Sequence, residues 1–347
     1  MNSLVITSLI SILLNASAGE TSAQTSNDSV YREPSIRQSL ATHSAAPSGM
    51  RSMGRLDRNL PMNLTLTLEP RNPEQLKNLL QNLYDPTSPE YRHFLTANEF
   101  TERFGPTGDD LGQVRAFALS HGLTVTNTSS SRLVVHVNGT VQAVERTFGV
   151  KMQVYRHPTE ARTFYAPDVE PSVDTTIPVQ GITGLSTLYL PRLASHQQLA
   201  VSKAQINEGS GQNGSFLASD LRNAYVPGVS LDGSGQTIGI FAMGGYNLSD
   251  IQGYFSSQGQ TLNVPIVNVL LGGMSGICGT SCDDSEAALD IEMALSLAPN
   301  LSAVVFYEGS TPLDILDQMA TDNIARQLSC SYVFAPDPSS YEPVFQK

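Results

Sequence analysis

The sequence predicts two globular parts of different fold class: an α+β part with an antiparallel, ferredoxin-like sheet, then an α/β part with a mostly parallel sheet. The length of 347 residues is sufficient for two domains. The strands change in style along the chain, from alternating apolar and polar residues to nearly continuous apolar runs. Between these parts, residues 194–215 are rich in Gln, Ser and Gly without periodicity, which predicts an exposed linker.

Mixed strands and helices are predicted in the first part, residues 54–193. The stretch MNLTLTL at 62–68 alternates apolar and polar side chains, the period of a strand with one buried face. Asn72 before Pro73 predicts a helix start. The elements predicted after this helix are a helix from Asp109, a strand over 133–137, a helix over 141–148 and a strand over 150–156. This order is typical of an antiparallel sheet with helices on one face.

Strands and helices alternate in the second part, residues 216–347. Apolar runs at 235–245, 264–273, 301–309 and 325–334 predict the strands, and helices are predicted between them. These strands are too apolar to have one face in water, so a parallel, doubly wound sheet is expected.

Composition and the first residues indicate where the protein acts. A net charge of −12 and an isoelectric point near 4.9 argue against nucleic acid or an anionic membrane as a partner. The apolar run Leu4–Leu14 followed by Ala16-Ser17-Ala18 predicts a signal peptide over 1–18, and hence a secreted, extracellular protein. Residues 19–53 are polar and are predicted to be disordered.

The three cysteines predict a disulfide rather than a metal site. Cys278 and Cys282 enclose three residues, and in an exported protein a loop disulfide between them is expected. Cys330 stands alone. Because no histidine lies near the pair, zinc is not expected, and no cofactor or metal is predicted for this chain.

A pair of carboxylates is the strongest candidate site. Glu286 and Asp290 share one face of a helix predicted to begin near Asp284. If half-buried, they would share a proton and could act as a general base at acidic pH. A solvated acidic helix is the competing interpretation, since Asp283 and Glu292 also crowd the segment. All six histidines precede the second part, so a serine hydrolase site within it would need a carboxylate base.

Several stretches resemble the sedolisin family, the kumamolisin-like serine-carboxyl peptidases. SEAALDIEMALSLAP at 285–299 is similar to the family's E-x-x-x-D-I-E helix, and FLASDLRNAYVP at 216–227 to the start of the mature enzyme. The stretch SPEYRHFLTANEFTERFGPT at 88–107 resembles the pro-kumamolisin activation domain, as do 137–150 and 182–188. This resemblance implies a subtilisin-like peptidase part in which Glu286 is the general base toward a nucleophilic serine and Asp290 orients it.

The resemblance also implies a secreted, acid-active zymogen. Residues 54–193 would be an activation prodomain that covers its own catalytic part, and acid-triggered cleavage would occur in the linker over 194–215. The substrate would be a peptide or protein. Calcium, expected in full-length family members, has no matching site in this sequence.

The sequence departs from the family's pattern after Phe334. The family's Gly-Thr-Ser nucleophile segment and the Gly-Asp before it do not follow, so residues 216–347 are expected to be the amino-terminal part of a peptidase domain. The chain is then C-terminally truncated and inactive by itself. The tripeptide at 279–281 precedes the Glu286 helix, and Ser281 is therefore interpreted as a loop serine.

Three other functions are compatible with the sequence. The activation domain could serve as a non-enzymatic chaperone or inhibitor of a related peptidase. The chain could be a binding module that kept the fold, although the carboxylate pair is intact. A hydrolase that uses the two carboxylates alone, as glycosidases do, is disfavoured because residues on one helical turn cannot flank a sugar bond.

Overall fold

The computed structural model describes residues 36–40, 42–193, 209–211, 214, 216–279, 282–334 and 338–347. The predicted signal peptide and most of the predicted linker lie outside these residues. In the described part of the chain, no helix is both long enough and apolar enough to span a membrane.

The described strands and helices follow one another in a mixed order. The strands are β1 (Arg37–Ser39), β2 (Ser52–Arg55), β3 (Pro61–Leu68), β4 (Thr124–Thr128), β5 (Val134–Thr140), β6 (Met152–Arg156), β7 (Thr163–Pro167), β8 (Ser172–Asp174), β9 (Val179–Thr183), β10 (Arg192–Leu193), β11 (Thr237–Ala242), β12 (Ile266–Leu270), β13 (Ala303–Glu308), β14 (Gln327–Cys330) and β15 (Tyr332–Val333). The helices are α1 (Pro73–Tyr84), α2 (Ala97–Phe104), α3 (Gly108–Ser120), α4 (Val141–Phe148), α5 (Ala218–Tyr225), α6 (Leu248–Ser257), α7 (Ser285–Leu297), α8 (Pro312–Asp322) and α9 (Pro338–Phe345).

A four-stranded antiparallel sheet organises the first part, in the order β4-β5-β3-β9. The predicted alternation is confirmed in β3, where the side chains of Met62, Leu64, Leu66 and Leu68 are buried. They pack with apolar residues of α3 and α4 in one core. The predicted helix start is confirmed, since α1 begins at Pro73, but Asn72 adopts a left-handed conformation and its side chain does not cap the helix. Its side-chain amide donates instead to the carbonyl of Arg103 in the last turn of α2, at 3.0 Å.

The other face of this sheet is covered by helices from the second part of the chain. Helix α9 packs on β3 and β9, and the hydroxyl of Thr67 donates to the carbonyl of Ser340 at 2.9 Å. Apolar residues of α1 and α2 form a core with Leu313 of α8 and Tyr341 and Val344 of α9. The two predicted parts therefore share one of their cores.

The second sheet is parallel throughout, in the order β12-β13-β11-β14, as the apolar strands predicted. Its two faces carry different helices. Val304 and Phe306 of β13 pack in the core that includes α6 and α7, whereas Val305 and Tyr307 pack in the core that includes α8. Alternate side chains of one strand thus enter opposite layers.

The prediction of disorder over 19–53 is wrong for the described residues from 36 onward. Strand β1 pairs with β8, and Leu40 is only 4% exposed. The Glu170 carboxylate accepts the backbone N–H groups of Ser44 and Ala45, both at 3.2 Å. A polar segment can be ordered when groups distant in sequence satisfy its backbone, and that satisfaction leaves no trace in local periodicity. The helical segment α9 was likewise not predicted.

The packing of α9 on the antiparallel sheet can be tested at Gly181. A Cβ atom at this position would lie 2.8 Å from the Cα of Ser340, which cannot move without shifting the helix. We expect Gly181→Ala to lower the free energy of unfolding by about 1–3 kcal/mol, measured by urea denaturation. The matched control is Gly112→Ala in α3, where a Cβ meets no atom within 4 Å, and a gain of about 0.5–1 kcal/mol is expected. Equal stability of both variants would contradict the α9 contact.

Candidate active site

Glu286 and Asp290 lie in the first two turns of α7, beside the carboxyl edge of the parallel sheet. A helix that follows a strand of such a sheet begins at that edge, where open α/β folds bind their ligands. Glu286 is 7% exposed and Asp290 is half-buried. Glu286 is therefore not part of a solvated acidic surface. Two carboxylates one turn apart repel each other, so their ionisation depends on the groups placed around them.

One such group is Ser331, which was not singled out from the sequence. Its hydroxyl donates to Asp290 Oδ1 at 2.8 Å. Ser331 follows β14 directly, and β14 pairs in parallel with the central strand β11. The contact therefore depends on the sheet order. A serine just after an apolar strand is the signal that could have suggested a side chain at this edge.

Tyr332 is the second residue that the sequence reasoning missed. Burial raises the pKa of its hydroxyl, a backbone hydrogen bond with Met243 lowers it, and the negative charges of Glu286 and Asp290 raise it further. Its ring packs against Phe241 with centroids 5.6 Å apart. A neutral phenol thus lies within electrostatic range of both carboxylates.

Hydrogen bonds to neighbouring elements hold the loop that leads into α7. Glu308, at the end of β13, is 2% exposed and accepts the backbone N–H of Gly276 at 2.7 Å. Burial raises the pKa of Glu308, and this hydrogen bond opposes the shift. The backbone N–H of Asn247 donates to Asp284 Oδ2 at 2.9 Å, just before the helix. These bonds tie the loop before α7 to the end of β13 and the start of α7 to the start of α6.

The predicted loop disulfide is confirmed. Cys278 and Cys282 form a disulfide in the same loop, and Cys330 is a free thiol. Ser281 lies outside the described residues, so its interpretation as a loop serine stays a prediction. Among the described residues, no group of three or more His, Cys, Asp or Glu side chains is arranged to hold a metal ion.

The end of the first part of the chain lies next to this edge. Strand β10 pairs antiparallel with β15, with Arg192 opposite Val333 and Leu193 opposite Tyr332. Tyr332 is also the residue whose hydroxyl has its pKa raised by the charges of Glu286 and Asp290. An extended segment from residues 54–193 therefore occupies the strand edge directly after Ser331.

Comparisons with known proteins found one matching family and several relatives. Residues 48–188 match the family described as Pro-kumamolisin, activation domain. The chain is 27% identical over 300 residues to kumamolisin from Bacillus sp. (strain MN-32), covering 84% of this chain and 53% of kumamolisin. It is 26% identical over 298 residues to xanthomonalisin from Xanthomonas sp. (strain T-22), covering 80% and 35%. It is 23% identical over 285 residues to sedolisin from Pseudomonas sp. (strain 101), covering 77% and 47%.

The matches point first to a class of protein: residues 48–188 are similar to the activation domain of pro-kumamolisins, and most of the chain is similar to kumamolisin. They also confirm the resemblance to the sedolisin family predicted from the sequence, because the relatives include kumamolisin and sedolisin and the matched family is the Pro-kumamolisin activation domain. The chain spans about half the length of kumamolisin and sedolisin, and about a third of xanthomonalisin.

Glu292 of α7 makes stability depend on pH. Its burial, together with the charges of Asp250 and Asp284, raises its pKa from 4.5 to about 7. The folded state thus holds a proton that the unfolded state releases. The resulting stabilisation is fully present below pH 4.5 and is lost as the pH rises through about 7.

We therefore expect Glu292→Gln to match the wild type at pH 4. At pH 8 it should exceed the wild-type free energy of unfolding by roughly 2 kcal/mol, which is less than the full pKa shift corresponds to because water screens the half-buried side chain. Denaturant unfolding followed by circular dichroism at both pH values measures this difference. Glu74→Gln on the exposed face of α1 is the control and should change neither value. A Glu292→Gln variant with the pH dependence of the wild type would contradict the assignment.

Proposed function

We propose that this chain belongs to the zymogen of a secreted, acid-active serine-type peptidase that hydrolyses peptide bonds through an acyl-enzyme. The observation that carries the proposal is the Glu286–Asp290 pair at the carboxyl edge of a parallel sheet, in a chain that resembles kumamolisin over 300 residues. Helices on both faces of that sheet support a subtilisin-like arrangement. The strand order β4-β5-β3-β9 supports a ferredoxin-like prodomain.

Glu286 takes the proton of the nucleophilic serine as general base, and Asp290 orients it. A carboxylate suits acidic conditions because imidazole, with an ordinary pKa near 6.5, is charged there and cannot accept a proton. The nucleophile is assigned to no residue of this sequence. It is expected from the part of the family enzymes that this chain does not cover, and the 347 residues alone are expected to leave peptides uncut.

Residues 54–193 act as the prodomain and cover the cleft. The pairing of β10 with β15 supports this role, since addition of an extended segment to an open strand edge is a common mode of peptide recognition. Polar contacts join the two parts elsewhere: His136 Nε2 lies 3.0 Å from Asp314 Oδ1, and the Ser131 hydroxyl donates to Asp317 at 3.1 Å. Such contacts suit a surface that becomes solvated when the prodomain leaves.

The role of Glu286 can be tested in a chimera that joins this chain to the carboxyl-terminal half of kumamolisin. We expect Glu286→Gln to reduce kcat about 10²–10⁴-fold at acidic pH, because the amide cannot accept the serine's proton. Cleavage of a fluorogenic peptide measures the rate. Glu292→Gln on the same helix is the matched control and should retain activity.

The unsubstituted chimera must first cleave the peptide, and circular dichroism must show that the variants fold alike. Under those conditions, full turnover by the Glu286→Gln variant would contradict its role as the base.

The second candidate function is inhibition of, or chaperoning for, a related peptidase by the activation domain alone. The β10–β15 pairing favours it, because the same strand could pair with the cleft of another enzyme. We expect residues 54–215 to inhibit kumamolisin at micromolar concentration, measured as loss of peptide cleavage. Leu193→Pro should weaken inhibition about tenfold, since proline removes a backbone donor from the pairing strand. The absence of inhibition at micromolar levels would remove this candidate.

A further inference from the structure

We propose that Ser331 is a positioning residue of the carboxylate pair: its hydroxyl orients Asp290 and stabilises the ionised form of that side chain. Its value for catalysis rests on the peptidase function proposed above, but the interaction itself does not. The contact that carries the proposal is the 2.8 Å hydrogen bond from Ser331 Oγ to Asp290 Oδ1, between residues 41 positions apart in the sequence.

The backbone on both sides of Ser331 is held by neighbouring strands. Before it, Cys330 is the register partner of Phe241 on the central strand β11. After it, Tyr332 is the register partner of Leu193 on β10. A serine between two paired residues has little freedom to move away from the helix, so its hydroxyl is presented to Asp290 at a fixed place.

The chemistry of this bond favours one protonation state. A hydroxyl donates more strongly to a carboxylate than to a neutral carboxylic acid, and it therefore stabilises the anion. An anionic Asp290 keeps a negative charge one helical turn from Glu286, the residue proposed above as the general base. Proton uptake is the task of a general base, so Ser331 acts on the reaction through Asp290 without touching the substrate.

The residues on either side of Ser331, Cys330 and Tyr332, do not share its role toward Asp290. The Cys330 thiol lies 3.8 Å from the Tyr332 carbonyl. It carries no negative charge that would compete with Asp290, because burial raises its pKa above the usual range. The Tyr332 hydroxyl remains neutral for the same physical reason. Of these three consecutive residues, Ser331 makes the direct hydrogen bond to Asp290.

The experiment is a carboxyl titration by ¹³C NMR on the whole 347-residue chain, labelled at Asp and Glu. The Asp290 signal is assigned by its loss in Asp290→Asn and followed from pH 3 to pH 8. We expect Ser331→Ala to move its midpoint upward by about one pH unit, because removal of the donor destabilises the anion. Ser331→Thr keeps the hydroxyl and should restore the wild-type midpoint. Ser329→Ala, two residues earlier on β14, is the matched control and should leave it unchanged.

A Ser331→Ala midpoint equal to that of the wild type would overturn the proposal. If Ser331→Ala does not fold, Ser331→Cys replaces it, because a thiol is a weaker donor of similar size and the same upward direction is expected. No nucleophile takes part in the titration. An inactive chimera would therefore count against the peptidase function alone, and an unmoved midpoint would count against Ser331 alone.

Discussion

Two carboxyl groups held one helical turn apart are the constraint on which the rest of the site depends. Glu286 is buried and Asp290 is half-buried, so their repulsion is not screened by water as it would be on a surface. Two uncharged groups of the surrounding structure lie beside the pair: the Ser331 hydroxyl donates to Asp290, and the neutral Tyr332 phenol lies nearby. Both come from one segment at the end of β14, which is why the parallel sheet has to be assembled before the pair has its environment.

The same region holds further carboxyl groups in places that favour their protonated forms. Burial raises the pKa values of Glu308 and Glu292, the second to about 7. Because the folded state binds these protons more tightly than the unfolded state, this part of the fold becomes more stable as the pH falls from neutral toward 4.5. That direction is opposite to the usual acid denaturation of salt-bridged carboxylates, and it agrees with a protein that is proposed to act in acid.

Contacts between the two parts of the chain combine an apolar core with polar contacts that are buried or half-buried. The core under α8 and α9 joins Leu313 and Val344 to residues of α1 and α2. Around it lie the His136–Asp314 and Ser131–Asp317 contacts. A fully apolar interface would resist separation, whereas polar groups can be satisfied by water afterwards. The pairing of β10 with β15 adds a backbone contact that depends little on side-chain identity.

Local patterns in the sequence determined the elements whose causes are local. Alternation predicted β3, apolar runs predicted the parallel sheet, and helical spacing placed Glu286 and Asp290 on one face. The tertiary structure alone decided that Ser331 reaches Asp290, that β10 lies against β15, and that the segment around Leu40 is ordered. The reason is physical: periodicity records which face of an element is buried, but a hydrogen bond between distant residues depends on strand order and register, which many sequences of the same pattern could satisfy differently.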